Sequence, residues 1–328
     1  MWKTLSYEVQ GRGHHKSKKV CQDKTYTYKK DNYVAIALAD GAGSASHSDV
    51  GAEIACKSIC EYVGEHFDRL IKSTDAYAVK KEIIDYILGN LKQKALDLKC
   101  SIDGLASTLL FVGVKDNLLM VLHVGDGVIG YLKNNMLLTL SQPNNGEFAN
   151  ATYFVTSKGA YEQTRIFKGN KKGISGFVLL SDGSSSSLYD KRANCLAPLA
   201  RRILLWSQFI YVDKLLPVVK DVFNSAIIKR TMDDCSIALM VDNLVTDEQF
   251  LLMDKKEKCQ LFDRGITIQP QFLQERYDIL KFITTPKTIK EVAKMLDLSE
   301  RKASYRLKHL IKLGMVSYEK GYYKSDIC

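Results

Sequence analysis

Four aspartates sit at the ends of apolar runs, and three of them are followed by glycine. They are Asp40 in Val34-Ala-Ile-Ala-Leu-Ala-Asp-Gly, Asp126 in Val121-Leu-His-Val-Gly-Asp-Gly, Asp182 in Phe177-Val-Leu-Leu-Ser-Asp-Gly, and Asp234 in Asp233-Asp-Cys-Ser-Ile-Ala-Leu-Met-Val. A carboxylate at the mouth of a buried strand stays ionised only beside a cation, because an unpaired buried charge is strongly unfavourable. Recurring four times, the pattern points to a hard divalent ion. Magnesium and manganese prefer oxygen ligands, and glycine lets the backbone turn sharply beside them.

The elements that must carry these aspartates alternate between strand and helix patterns over residues 1–242. Apolar runs predict strands at 33–39, 108–114, 118–124, 128–132, 136–140, 176–181 and 236–241. The polar turns Val114-Lys-Asp-Asn-Leu118 and Leu132-Lys-Asn-Asn-Met136 make antiparallel hairpins of these strands. Helices are expected over 49–66, 76–99, 192–210 and 212–225, so an antiparallel sheet covered by helices is favoured over a doubly wound parallel one. The four serines Ser184–Ser187 read as loop, and no His/Asp pair in the nearby sequence would activate one as a nucleophile.

Composition bounds the rest. The chain has 328 residues, 46% hydrophobic and 26% charged, enough for a large globular domain and a small one. No apolar stretch reaches membrane-spanning length, and the start lacks the apolar core of a signal peptide, so a cytoplasmic protein without membrane contact is expected. The eight cysteines contain no Cys-x-x-Cys pair, which favours buried thiols over zinc. His123, inside an apolar run, reads as a satisfied core histidine.

The formal net charge of +10 is unevenly spread: residues 264–328 hold thirteen Lys/Arg against seven Asp/Glu. That last fifth is where a polyanion or acidic partner is first sought. Residues 243–271 read as a linker. From 272 to 328 the pattern is three short helices and a hairpin: one helix near 273–283, a second opened by the capping box Thr288-Ile-Lys-Glu291, and a third, 300–313, capped by Ser299 and ended by Gly314. A hairpin around Lys320-Gly321 closes the unit, and the whole describes a winged helix-turn-helix. Its third helix offers Arg301, Lys302, Arg306 and Lys308 to nucleic-acid phosphates. Winged helices also dock proteins, so DNA, RNA and protein partners all fit.

Taken together, Cys21-Gln-Asp23, Ala39-Asp-Gly-Ala-Gly-Ser44, Gly125-Asp-Gly127, Glu147-Phe-Ala-Asn-Ala-Thr-Tyr153, Leu180-Ser-Asp-Gly183 and Asp233-Asp234 resemble, in order, the metal-dependent type 2C protein serine/threonine phosphatases in their compact bacterial form. The resemblance implies an α+β fold, an αββα four-layer sandwich of two antiparallel sheets, here followed by the small winged-helix domain. It implies two Mg²⁺ or Mn²⁺ ions, with a third in many members. Asp40 would bridge two of them with the Gly41 carbonyl as a further ligand. Asp182 and Asp234 would hold one ion, Asp23 would act on the other side, and Asp126 would serve the third. Asp40, Asp182 and Asp234 thus form the catalytic core, around water that attacks phosphorus without a phosphoenzyme. The implied partners are a phosphoprotein substrate and a Ser/Thr kinase or its targets.

The sequence departs from the pattern at three places. Gln22 replaces an acid beside Asp23, and Ala42 stands where many eukaryotic members carry a histidine proposed as the acid. Lys18 and Lys19 occupy the neighbourhood of a phosphate-gripping arginine, and His14 and His15 are further candidates for phosphate or acid contact. These departures keep an alternative open, in which the chain is a DNA-binding regulator with a weakly active or inactive phosphatase-like sensor.

Overall fold

The computed structural model describes the chain apart from residues 1, 145–151, 210–211, 243–249, 252, 263–264, 266, 314 and 326–328. Expectations for Glu147–Ala151, for much of the linker and for the Gly314 stop therefore lie outside the described residues.

Strands β1 (Trp2–Val9), β2 (Lys24–Lys30), β3 (Tyr33–Ala39), β4 (Leu109–Lys115), β5 (Leu118–Val124), β6 (Val128–Lys133), β7 (Met136–Ser141), β8 (Arg165–Asn170) and β9 (Ile174–Leu180) are followed by the short β10 (Tyr189–Asp190) and β11 (Cys195–Leu196), then β12 (Cys235–Asp242). Two five-stranded sheets result, ordered β2-β3-β4-β5-β8 and β1-β12-β9-β6-β7, with every pairing antiparallel. Helices α1 (Arg12–Ser17), α2 (Ser48–Lys72), α3 (Ala76–Leu98), α4 (Ala160–Gln163), α5 (Asp182–Leu188), α6 (Pro198–Phe209) and α7 (Val212–Val222) complete this part.

Period-two alternation explains the layering. In β3, Val34, Ile36 and Leu38 join Phe177, Leu179, Ala238 and Met240 between the sheets. The alternate residues Tyr33, Ala35, Ala37 and Ala39 pack under α2 and α3. Likewise Ile237, Leu239 and Val241 of β12 face α6 and α7. Strands buried on both faces need near-continuous apolar runs, which is why β3 and β12 stand out in the sequence. Strands β1, β2 and β8 escaped expectation: β2, Lys-Thr-Tyr-Thr-Tyr-Lys-Lys, is a sheet edge whose lysines hide its alternation. The serine run expected as loop is helix α5, where Ser185 and Ser186 donate their hydroxyls back to the Asp182 and Gly183 carbonyls at 2.9 and 2.7 Å.

Beyond β12 lie helices Lys255–Leu261, Pro270–Phe282, Ile289–Leu296 and Glu300–Lys312, and a three-stranded sheet of Lys287–Thr288, Val316–Glu319 and Tyr322–Ser325. Thr288 and Glu291 form the reciprocal capping box, and Ser299 Oγ accepts from the Lys302 N–H. This region does not hang free. Phe250, Met253, Phe262, Leu273 and Tyr277 share one buried apolar cluster with Leu204, Leu215 and Val219 of α6 and α7. Tyr277 stacks on Phe250 at 4.0 Å, Arg201 of α6 pairs with Glu257, and His309 Nε2 donates to the Phe262 carbonyl at 2.8 Å.

Candidate active site

Strand register gathers the aspartates. Lys24 opposes Ala39, which sets Asp23 beside Asp40. Val128 and Ile237 both oppose Leu180, which brings Asp126 and the Asp233-Asp234 pair to Asp182. Val9 opposes Cys235, so the α1 segment arrives beside Asp234. One end of the sandwich therefore collects carboxylates from five separate stretches of chain.

Each is held by its own partners. The Asp40 N–H donates to Thr108 Oγ1 at 2.9 Å and its carbonyl accepts from the Thr108 N–H at 2.8 Å, fixing the turn after β3. Gly41 donates to the Gln22 carbonyl at 3.2 Å, and a Cβ there would meet Ser48 at 2.8 Å, so only glycine fits. Asp182 opens α5 and accepts from the Gly183 N–H at 2.5 Å. Asp23, 1% exposed, accepts from Ser236 Oγ at 2.7 Å through Oδ2. Asp126 accepts from Thr152 Oγ1 at 2.7 Å.

Like charges packed this closely raise one another. Burial first, then the charges of Asp23, Asp182 and Asp233, push Asp40 well above the ordinary carboxylate range. Burial pushes Asp23 up to about 8, with Asp234 and Asp182 acting in the same direction against the Ser236 and Ser181 hydrogen bonds. Asp182 is pushed up to about 6 by burial and by Asp233 and Asp126.

Asp233 and Asp234 part company. Asp234 is 1% exposed; its Oδ1 accepts from the Gly11 N–H at 2.5 Å and its Oδ2 from the Gln22 N–H at 2.6 Å. His14 Nδ1 lies 2.9 Å from the same Oδ2. A Cβ on Gly11 would meet the Asp233 carbonyl carbon at 2.3 Å, and one on Gly183 the Asp234 carbonyl oxygen at 2.0 Å, so two glycines clamp this dipeptide. Exposed Asp233 is the one of the two whose charge bears on both Asp40 and Asp182. The sequence reading named Asp234 as the ligand and did not separate the two by exposure. A signal existed: period two puts Asp234 in phase with the inward Ala238 and Met240 of β12.

Among the basic candidates, Lys19 Nζ donates to the Gly43 carbonyl at 2.8 Å and so reaches the loop after Asp40, whereas Lys18 caps α1 with φ 55° and is exposed. His123 is a core residue: burial pushes it down to about 3, and its nitrogens meet Ser141 Oγ at 2.7 Å and the Gly125 carbonyl at 2.9 Å. Cys235 is pushed up to about 12, chiefly by burial, so its thiol stays protonated beside the carboxylates. On the distant helix Glu300–Lys312, Arg301, Lys302 and Lys308 are exposed. Arg306 instead pairs with Glu275 at 2.6 Å and lies over the Phe272 ring at 5.3 Å.

Residues 10–212 match the protein phosphatase 2C family. The chain belongs to that family. Protein phosphatase 2C enzymes are metal-dependent hydrolases of phosphoserine and phosphothreonine in proteins, and the matched segment contains Asp23, Asp40, Asp126 and Asp182. The same fold is seen in a bacterial serine phosphatase, 14% identical over 74% of this chain and 98% of that one with a TM-score of 0.53. It is also seen in a C. elegans sex determining protein, 11% identical over 77% of this chain and 67% of that one with a TM-score of 0.55. No curated protein matches the sequence.

Fit to the Mg²⁺ or Mn²⁺ that the family uses can be judged from the donors present. As they stand, no three His, Cys, Asp or Glu side chains among the described residues are grouped to hold an ion. Two buried oxygens, Asp23 Oδ1 and Gln22 Oε1, lack any partner, and three acids are held above their ordinary range by burial first and by neighbouring carboxylates second. A cation would relieve both conditions, and an all-oxygen donor set suits a hard one. The residues therefore fit the ion.

Proposed function

We propose that this protein is a Mg²⁺- or Mn²⁺-dependent phosphatase of phosphoserine and phosphothreonine, with residues 1–242 as the catalytic domain, 243–271 as linker and 272–328 as a winged-helix targeting module. The observation that carries the reading is the gathering of Asp23, Asp40 and Asp182 at one end of the sandwich, each held above its ordinary range chiefly by burial and then by neighbouring carboxylates. Asp40, Asp182, Asp233, Asp23 and the Gly41 carbonyl would hold two ions, with Asp126 at a third. Asp233 replaces Asp234 in this set because both Asp234 oxygens already accept backbone N–H groups. Bound there, the ions supply Lewis acidity, lowering the pKa of water and neutralising phosphoryl charge.

The chain's own residues position the reaction. Asp234 ties the α1 segment and the Gln22 backbone to the start of β12, so the candidate phosphate-contacting groups His14 and Lys19 face the same end as Asp40. Thr108 fixes the Asp40 turn from both its hydroxyl and its N–H. Hydrolysis joins a water oxygen to phosphorus while the serine or threonine oxygen leaves and takes a proton. The substrate is a phosphoprotein made by a Ser/Thr kinase, or the kinase itself.

For the terminal module, exposed Arg301, Lys302 and Lys308 surround Tyr305, which is 62% exposed. A basic helix face with an accessible ring fits nucleic-acid phosphates with a base stacked between them. This face keeps a second reading in view, that of a nucleic-acid-binding regulator whose phosphatase domain turns over slowly.

The deciding experiment is phosphate release from a phosphothreonine peptide. Release that needs Mn²⁺ and disappears in Asp40→Asn and Asp182→Asn supports the enzyme reading; full activity in both variants defeats it.

A further inference from the structure

Against the loop that follows Asp40 lies a cavity of about 520 Å³. It is lined by Ala42 and Ser46 from that loop, by Ser101 and Asp103 from the turn Ser101–Ala106, and by Phe154 and Thr156 from the segment after Thr152. The three walls are sewn together by backbone. Ala42 N–H donates to the Ala106 carbonyl at 2.9 Å, His47 N–H to the Gly104 carbonyl at 2.8 Å, and Val155 N–H to the Ser107 carbonyl at 2.9 Å. Phe154 N–H is held by Ser157 Oγ at 2.9 Å. The cavity is thus a formed feature of the fold, joined through Gly41 and Ala42 to the residues proposed to act on phosphate.

Its chemistry is one-sided. Asp103 is the only charged lining residue among those described, and it is exposed. Around it stand hydroxyls, which accept hydrogen bonds, and the Phe154 ring, whose face attracts a cation. A phosphate or an acidic side chain would meet a carboxylate here, with no cation among the described lining residues to offset it. A guanidinium or ammonium finds a carboxylate, hydroxyl acceptors and a ring face at once.

We infer that this cavity selects substrate: it receives an arginine or lysine side chain lying a few residues from the phosphoserine or phosphothreonine, with Asp103 as its anion. The inference rests on the phosphatase reading above and gives that reading a substrate class, phosphoproteins with a basic residue near the phosphorylated one. Asp103 acts in recognition and touches none of the reacting atoms, so its influence falls on KM more than on kcat.

The test uses the full chain with Mn²⁺ and four sets of phosphothreonine peptides, carrying arginine, lysine, alanine or glutamate at each position from three before to three after the phosphorylated residue. In the natural protein, kcat/KM at one or more positions is expected to be about tenfold higher for arginine than for alanine, the effect of one charge-assisted hydrogen bond. The ratio should fall to about one in Asp103→Asn, persist in Asp103→Glu, and invert toward glutamate in Asp103→Lys. Because each ratio is taken within one variant, a partly unfolded preparation does not distort it. Hydrolysis of all peptides with no preference for a basic neighbour, or a preference that survives Asp103→Asn, overturns the inference and leaves the phosphatase reading standing. No hydrolysis of any peptide or of p-nitrophenyl phosphate defeats that reading and this one with it.

Discussion

Asp233 and Asp234 are adjacent in the chain and oppositely placed: Asp234 is 1% exposed with one oxygen on the Gly11 N–H and the other on the Gln22 N–H, while exposed Asp233 raises Asp182 and Asp40. Asp234→Ala should leave two buried donors unpaired and lower stability by about 2–6 kcal/mol, at about 1–3 kcal/mol for each donor. Asp233→Asn should leave stability nearly unchanged while weakening Mn²⁺ binding. Denaturant unfolding and calorimetric titration of both variants check this pair, and the opposite assignment of effects would return the ligand to Asp234.

Metal-free protein should lose stability as pH rises. Folded Asp182 and Asp23 titrate at about 6 and about 8 against an ordinary 3.8, so across that interval the folded state holds protons that the unfolded state has released. Unfolding then releases protons, and their contribution, complete below the ordinary value, fades as pH climbs through 6 and 8. With chelator present, the Tm should fall from pH 5 to pH 8; saturating Mn²⁺ should raise it, most strongly at pH 8, by binding the folded state alone. A chelated Tm that rises over this interval contradicts the elevated acids.

Residues after 250 should be inseparable from the stability of the phosphatase domain. Tyr277 is 3% exposed, is stacked at 4.0 Å on fully buried Phe250, and shares a cluster with α6 and α7. Tyr277→Ala should cost about 3–5 kcal/mol. It should lower the melting of the whole chain in one transition, followed by calorimetry; two separate transitions, only one of them shifted, would show independent units. Deleting residues 264–328 should likewise expose apolar surface on α6 and α7, so point substitutions are the cleaner probe of what the module does.

Arg306 should differ from its helix neighbours. Alanine at Arg301, Lys302 and Lys308 should weaken binding to a duplex or single strand and flatten its dependence on salt, by about 0.9 in log–log slope for each duplex phosphate that is no longer neutralised. Arg306→Ala should instead reduce stability, because Arg306 pairs with Glu275 and covers the Phe272 ring. Salt-titrated fluorescence anisotropy separates them, and equal effects of all four residues on the slope would place Arg306 in the binding face.

The apolar runs of β3, β9 and β12 were legible because strands covered on both faces leave little room for polar residues. Helices α2 and α3 were also legible, though α2 continues to Lys72, past the expected 66. Strand β2 was not, since at a sheet edge lysines are tolerated and blur the alternation. Helix α5 was not, since serine favours turns unless, as here, its hydroxyl returns to the carbonyl one turn back.

By itself the sequence determined that aspartates stand at the ends of buried strands, because burial and glycine turns are written in neighbouring residues. Which aspartate of the Asp233-Asp234 pair is buried on backbone donors and which is exposed was decided only by the tertiary structure. The groups that settle it, the Gly11 and Gln22 N–H donors, lie 223 and 212 residues away along the chain. Arg306 was decided in the same way: its charge is read from the sequence, but its carboxylate and ring come from another helix, and no local pattern records them.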